Sequence, residues 1–188
     1  MPARRNHATV AVIGQGPSAS GWKNALRRGG RSLAELYCAD WAVIGQCAAL
    51  ANLIGIEPGL LCAEVDRFNL NPRWTGKAGK GDRFDAVAGR RRAARIALMP
   101  FTHLVLLGKA VAGCFGFEAE FLETIERGGK RYLIFPHPSG INRWWNERDN
   151  VGRARHALRR FLKSSRCPSR SPRRARSRPP PECAAKRN

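Results

Sequence analysis

The residues best suited to chemistry follow short apolar runs in this sequence. The first run leads into Gly14, Gln15, Gly16, Pro17 and Ser18. Asn69 lies at the end of the second run, and His137 follows the last one. Open parallel sheets bind ligands where their strands end, because loops diverge there and helix N-termini point amide groups at anions. We therefore expect these polar loops to meet at one sheet edge and to form a ligand site.

His137 is held by its neighbours in the chain. It lies between Pro136 and Pro138 and is followed by Ser139 and Gly140. Prolines restrict the backbone, so the imidazole is held in place rather than left mobile. A lone histidine is more often structural, and this one gains weight from the polar loops expected beside it.

An apolar and cationic segment follows that histidine. Ile141, Arg143, Trp144 and Trp145 are suited to wedging into a base stack and to holding phosphates. Paired tryptophans are more often simple packing residues, and this alternative stays open.

Two glycine-rich loops have a functional and an ordinary interpretation. The glycines of residues 14–18 let a ligand approach the backbone, but the loop also fits an ordinary turn between a strand and a helix. It lacks a complete dinucleotide fingerprint. Residues 76–82, with Lys77 and Lys80, suit contact with a phosphodiester backbone or form a flexible solvated turn, and they lack the ending of a P-loop.

The elements that must position these residues alternate along the chain. Apolar runs rich in β-forming residues predict strands, and helical patterns lie among them. Strands are predicted at 9–13, 65–70, 103–107 and 132–135, and helices at 32–54, 86–98, 109–115 and 150–163. Residues 57–59, E-P-G, predict a turn. This order predicts an α/β protein, a three-layer α/β/α sandwich with a central, mainly parallel four-stranded sheet.

The charge of the chain favours a polyanionic partner. The 34 Lys and Arg against 14 Asp and Glu give a formal net charge of +20, so DNA is the first partner to consider. Residues 153–188 contain 13 of the basic residues and one acid. We predict one domain over residues 1–163 and a disordered Arg/Pro/Ser-rich tail over 164–188, because the tail has almost no core residues.

The six cysteines show no paired spacing, so buried free thiols are expected, with no metal and no cofactor. No apolar run reaches membrane-spanning length, and the basic start is not followed by a secretory signal. We expect a soluble cytoplasmic monomer that has no obligate protein partner and does not associate with a membrane.

These motifs, taken in order, resemble those of the uracil-DNA glycosylase superfamily. Its members have a G-Q-D-P-Y or G-E-A-P-G type of loop after the first strand, a middle-strand Asn, and a late H-P-S or N-P-S-G loop. Residues 14–18, Asn69 and residues 137–140 are similar to these motifs, and residues 105–116 are similar to the intervening strand-Gly-helix unit. The resemblance spans roughly residues 9–163.

The resemblance implies a DNA glycosylase that hydrolyses the N-glycosidic bond of uracil, or of a related deaminated base, flipped out of DNA during base excision repair. Asn69 would bind the pyrimidine edge, and His137 would donate a hydrogen bond to the carbonyl oxygen that gains charge. Ser139, Gly140 and Ile141 would pinch the DNA backbone and fill the gap. Leu26 is the nearest match to the residue that stacks on the base.

Two departures from the family pattern concern catalysis. Gly16 stands where several families have the Asp or Asn that positions water, and Gln15 stands where iron-sulfur members have Glu. Gln15 can orient water but cannot act as a strong base. We therefore expect a slow enzyme or an altered substrate. No cysteine precedes Cys38, so no iron-sulfur cluster is expected.

Two other functions compete with the glycosylase hypothesis. A catalytically silent DNA-binding member of the same superfamily is favoured by Gly16 and the basic tail. An enzyme that processes free nucleosides is the weaker alternative.

Overall fold

The computed structural model describes residues 9–16, 46–79, 81–138 and 142–166. Some residues predicted to form the site lie outside these ranges, and so do residues 167–188 of the predicted tail. These site residues are Pro17, Ser18, Leu26, Lys80, Ser139, Gly140 and Ile141.

Within the described ranges the protein is an α/β structure built on a five-stranded, mostly parallel sheet. The strands in chain order are β1 (Val10–Gly14), β2 (Val65–Asn69), β3 (Lys77–Ala78), β4 (Gly81–Asp82), β5 (His103–Leu107), β6 (Thr124–Arg127) and β7 (Lys130–Phe135). The main sheet has the order β2-β1-β5-β7-β6, in which only β6 is antiparallel to its neighbour. The short strands β3 and β4 form a separate hairpin.

Helices pack against both faces of the main sheet. They are α1 (Gln46–Ile54), α2 (Pro58–Glu64), α3 (Ala86–Ala97), α4 (Lys109–Cys114) and α5 (Arg148–Arg166), with a 3-10 helix at Arg143–Asn146. Side chains alternate along a strand, so each strand supplies both faces. Val10 and Val12 join a core cluster with α1, α2 and α5, whereas Ala11 and Ile13 join a second cluster with α3 and α4.

The central strands consist almost entirely of buried apolar residues, as is typical of parallel strands covered on both faces. Every residue of β1 and of β5 is buried. This explains why these two strands were predicted at nearly their observed bounds.

The predicted number of strands is wrong, because the sheet has a fifth strand, β6. Its sequence T-I-E-R is mostly exposed, since an edge strand covers little of the core. It therefore lacks the apolar run on which the prediction depended. Gly128 and Gly129 both have positive φ and form the tight connection to β7.

The turn predicted at residues 57–59 is the start of a helix. The Glu57 carboxylate caps α2 by accepting a hydrogen bond from the Leu60 amide at 2.9 Å, and Pro58 occupies the first turn. Proline is tolerated there because the first amides of a helix have no intrahelical partner.

In the described part of the chain, none of the helices is both long and apolar enough to cross a membrane.

Candidate functional site at the carboxyl ends of the strands

Four parallel strands end at the same edge of the sheet, and Gly14, Asn69 and His137 lie at or just after these ends. Gly14, the last residue of β1, pairs with Asn69, the last residue of β2. Phe135 ends β7 beside Leu107 of β5, and the Gly108 amide donates to the Phe135 carbonyl at 2.8 Å. The structure thus brings the loops after β1, β2 and β7 to one edge, as the sequence predicts.

Gly108 lies between the two predicted catalytic side chains. A Cβ atom placed on this glycine would lie 3.8 Å from Gln15 Nε2 and 3.8 Å from the His137 Cβ. Its φ of +100° is a conformation that favours glycine. Gly108 therefore allows the chain to turn from β5 into α4 and keeps the space between Gln15 and His137 free of a side chain.

The side-chain amide of Asn69 is buried at the end of β2. Only 6% of the residue is exposed, and neither Oδ1 nor Nδ2 has a hydrogen-bond partner among the residues that the structure describes. A buried amide without partners costs about 1–3 kcal/mol. Such an orphaned amide at a strand end is explained if a ligand supplies the missing donor and acceptor.

Close backbone contact holds the first loop against the end of β2. The Asn71 amide donates to the Gln15 carbonyl at 2.8 Å, and the Leu70 amide donates to the Gly14 carbonyl at 3.0 Å. A Cβ atom on Gly16 would lie 3.2 Å from the Asn71 carbonyl oxygen and 3.3 Å from its Cβ. Glycine at position 16 thus permits this approach, and a larger residue there would have to displace Asn71.

Asn71 also connects this edge to α3. Its side-chain amide hydrogen-bonds the backbone of Asp85, with Nδ2 donating to the carbonyl at 3.3 Å. The Asp85 carboxylate in turn accepts from the amides of Val87 and Ala88, both at 3.0 Å, and so caps α3. The N-terminus of α3 is therefore fixed beside the candidate site.

The backbone of His137 is anchored by two side chains that donate to its carbonyl oxygen. Trp145 Nε1 donates at 2.9 Å and Asn142 Nδ2 donates at 3.1 Å. Asn142 also accepts from the Trp144 amide at 3.2 Å, which caps the 3-10 helix. These bonds fix the histidine by its main chain.

Burial lowers the pKa of His137 below its usual value, because the charged imidazolium loses hydration. The ring is therefore neutral near pH 7 and has one N–H donor and one acceptor nitrogen.

The two tryptophans pack rather than project. Both are partly buried against the core, with Trp145 6.2 Å from Phe135 and Trp144 5.9 Å from Phe121, measured between ring centroids. The packing alternative therefore accounts for both. Arg143, in the same 3-10 helix, is exposed.

Lys77 is exposed on β3 of the small hairpin that follows the end of β2. Arg83 closes this hairpin, since its amide donates to the Gly76 carbonyl at 2.8 Å. The hairpin lies between Asn71 and Asp85 in sequence, so it projects from the same part of the molecule as the candidate site.

The edge offers groups that match a polar planar ligand. Asn69 supplies one donor and one acceptor side by side, His137 supplies a neutral donor, and Gln15 supplies a second amide. Three strand spacings separate the β2 and β7 ends, which corresponds to roughly 14 Å between backbones. Among the described residues, no three His, Cys, Asp or Glu side chains cluster to hold a metal ion.

Four positioning residues were not predicted: Gly108, Asn71, Asn142 and Trp145. Gly108 had a sequence signal, because a glycine directly after a buried strand often marks a turn at a site. The roles of the other three depend on partners that only the folded chain brings near, although an Asn before a short helix is a recognised capping signal.

Comparison with known proteins adds no family: no protein-family model matches this chain, and no curated protein is significantly similar to it.

Proposed function

We propose that this protein is a DNA glycosylase that removes uracil, or a related deaminated base, from DNA. The observation that carries the proposal is Asn69, whose buried amide has neither a donor nor an acceptor as partner among the residues that the structure describes. One edge of uracil presents an N–H donor beside a carbonyl acceptor. A single Asn side chain complements both groups, with Oδ1 accepting and Nδ2 donating.

Catalysis in this proposal relies on stabilising the leaving base. Breaking the N-glycosidic bond leaves the bonding electrons on the base, whose carbonyl oxygen gains negative charge, while the sugar gains cationic character. The neutral His137 imidazole donates a hydrogen bond to that oxygen. The main chain of His137 is anchored through its carbonyl oxygen, which limits how far the residue can move. This supports the role, because a donor that is already in position needs little reorganisation during the reaction.

The water that completes hydrolysis is assigned to Gln15. Its amide oxygen accepts a hydrogen bond from the water, and the water attacks the anomeric carbon of the sugar. A proton then passes to solvent. Because an amide is a weak proton acceptor, the rate depends mainly on how readily the nucleobase departs, and turnover is slow.

The proposed fold is the three-layer α/β/α sandwich of the uracil-DNA glycosylase superfamily. Support comes from the four parallel strands, the helices on both faces and the position of Gln15, Asn69 and His137 at one sheet edge. We propose that DNA lies across this edge, with Lys77 and Arg143 contacting its phosphates. We further propose that the protein acts as a cytoplasmic monomer.

An excision assay on the full chain tests the proposal. Labelled oligonucleotides with one uracil, single-stranded or paired with guanine, are incubated at low salt and then treated with alkali. We expect alkali-labile sites, and we expect His137→Ala to slow their formation by about 10²–10³-fold, the usual effect of losing an oxyanion donor.

A second variant tests Asn69, and two matched variants at exposed positions serve as controls. Asn69→Asp removes the amide donor and is expected to abolish uracil excision, whereas Asn52→Asp makes the same chemical change at an exposed position on α1. His156→Ala removes an exposed histidine of α5. If the unaltered protein leaves uracil in place in both substrates, the glycosylase proposal is wrong.

The second candidate is a catalytically silent DNA-binding protein. Gly16 favours it, because this position lacks the water-positioning carboxylate and because a Cβ atom there would lie within 3.2 Å of the Asn71 carbonyl oxygen. Intact uracil together with salt-dependent DNA binding that His137→Ala barely weakens would support this candidate.

A further inference from the structure

The outer face of α3 is a strongly cationic surface that the proposed site does not use. Arg90, Arg91 and Arg95 are exposed, while Gly89, Ala93 and Ile96 pack inwards. The sequence A-V-A-G-R-R-R-A-A-R-I-A contains a fourth arginine, Arg92, and no acidic residue. We call the three exposed arginines the α3 arginine face.

These arginines have no counter-charge in the described structure. The ion pairs recorded there are Lys109–Glu120, Arg131–Glu126 and Arg166–Glu64, and none involves α3. Arg92 adds a further sign, since its Nε is buried without a hydrogen-bond partner among the described residues. Helices that need only solubility usually interleave Glu with Arg at a spacing of four, because neighbouring like charges repel. The α3 arginine face is therefore suited to bind an anion from outside the described structure.

The position of the helix relates this surface to the candidate site. Asn71 holds the backbone of Asp85, and Asp85 caps the first turn of α3. The helix connects β2 to β5, which are both parallel to β1, so it runs back along the sheet from the edge where Asn69 lies. The arginine face thus begins near the candidate site and extends away from it.

The length of the surface suits a repeating anion. Arg90 and Arg95 are separated by about 7.5 Å along the helix axis, at 1.5 Å per residue. A DNA strand presents a phosphate about every 3.4 Å along its axis. Guanidinium groups bind phosphate oxygens through paired N–H donors, so neighbouring arginines can engage successive phosphates.

We propose that the α3 arginine face binds the phosphodiester backbone of the DNA that flanks the base held at the strand ends. The choice of DNA over another polyanion rests on the proposed function. Binding at this face is independent of base chemistry, so it should be equal for damaged and undamaged DNA.

The test is a binding measurement on undamaged duplex DNA, which cannot be confused with excision. The full chain and the triple variant Arg90→Gln, Arg91→Gln, Arg95→Gln are titrated by fluorescence anisotropy between about 50 and 200 mM salt. We expect the variant to bind about tenfold more weakly and its salt dependence to be shallower by up to about 0.9 in log–log slope for each lost phosphate contact. Glutamine is a good helix former, so the melting temperature is expected to be unchanged or slightly raised.

A matched variant removes the same charge elsewhere. Arg153→Gln, Arg160→Gln and Lys163→Gln neutralise three exposed cations of α5. The proposal is overturned if the α3 variant binds DNA as tightly as the unaltered chain. It is also overturned if the α5 variant loses as much affinity, since diffuse charge then explains binding. Loss of polyglutamate binding with DNA binding intact would assign the face to an acidic protein instead.

Failure of the proposed function gives a different result. If uracil is not excised but the α3 variant alone loses DNA affinity, the arginine face stands and the glycosylase assignment does not.

Discussion

At the scale of single residues, the buried amide of Asn69 has no hydrogen-bond partner among the described residues, which lowers stability. A buried carboxamide with two unpaired atoms is worse for folding than an apolar side chain of the same shape. Asn71, two residues further along, is also buried but is hydrogen-bonded to Asp85. The two asparagines therefore give opposite expectations for the same substitution.

We predict that Asn69→Leu raises the free energy of unfolding by about 1 kcal/mol, because it removes the unsatisfied amide while keeping the volume. Asn71→Leu should lower it by about 1 kcal/mol or more, because it breaks a satisfied buried contact. Urea denaturation of both variants checks this. A destabilised Asn69→Leu protein would mean that Asn69 is structural.

The predictable part of the site follows from strand ends alone. Gln15, Asn69 and His137 lie at or just after the ends of predicted strands, so parallel pairing is enough to bring them to one edge. The contact of Trp145 with the His137 carbonyl needs a side chain eight residues away to fold back, which no pattern encodes. Packing could be weighed for the tryptophans from sequence, but their role in holding His137 could not.

At the scale of elements, the capping of α3 makes a direct prediction. Asp85 accepts hydrogen bonds from two first-turn amides, and its negative charge also interacts favourably with the positive end of the helix dipole. Asp85→Ala should therefore lower the free energy of unfolding by about 1 kcal/mol. Asp85→Asn, which keeps a capping oxygen, should lose less than the alanine variant in the same denaturation experiment. Equal losses would assign the effect to something other than the cap.

The contact between β5 and α5 contains a histidine that should make stability depend on pH. His103 Nδ1 lies 2.9 Å from Thr102 Oγ1, and Nε2 lies 3.2 Å from Ser164 Oγ. Burial, and then the charge of Arg131, lower the pKa of His103, although Glu126 opposes them. The folded state thus favours the neutral ring, and protonation favours the unfolded chain.

We expect the free energy of unfolding to be highest above about pH 6.5, the usual histidine pKa in an unfolded chain, and to fall on acidification through the lowered pKa. His103→Gln should make this dependence weaker, and the remainder should include His137, whose pKa is also lowered. Urea denaturation from neutral to mildly acidic pH measures it. His156→Gln, which removes an exposed histidine of α5, is the matched control. An identical dependence in His103→Gln would contradict the assignment.

Strands were predictable where burial requires a run of apolar residues. They were not predictable where exposure to solvent allows polar residues. All residues of β1 and β5 are buried, as are the last four of β7, whereas β6 is a polar edge strand with one partly buried residue. The start of α2 uses Glu57 and Pro58, which also suit a turn. Tertiary contact decides between these outcomes, and local sequence does not.

At the scale of the whole molecule, the formal charge of +20 should govern DNA affinity. Residues 167–188 contain seven Lys or Arg and one Glu. We predict that truncation after Arg166 weakens DNA binding and reduces its salt dependence, while uracil excision by saturating enzyme is unchanged. Anisotropy and the excision assay measure the two effects.

A full-length control separates charge from length. Replacing the seven basic residues of 167–188 with Gln should reproduce the loss of affinity. If truncation weakens binding but neutralisation does not, charge is not the cause.

The pairing of β1 has a consequence for how the chain reaches its native state. Val10 lies between Val65 and His103, and the Thr9 carbonyl accepts hydrogen bonds from the amides of Thr102 and His103. The centre of the sheet therefore cannot close until β5 has been synthesised. Long-range parallel pairing slows folding, so the apolar strand β1 stays exposed during synthesis until its partner strands have been made. We expect a chaperone to shield this segment.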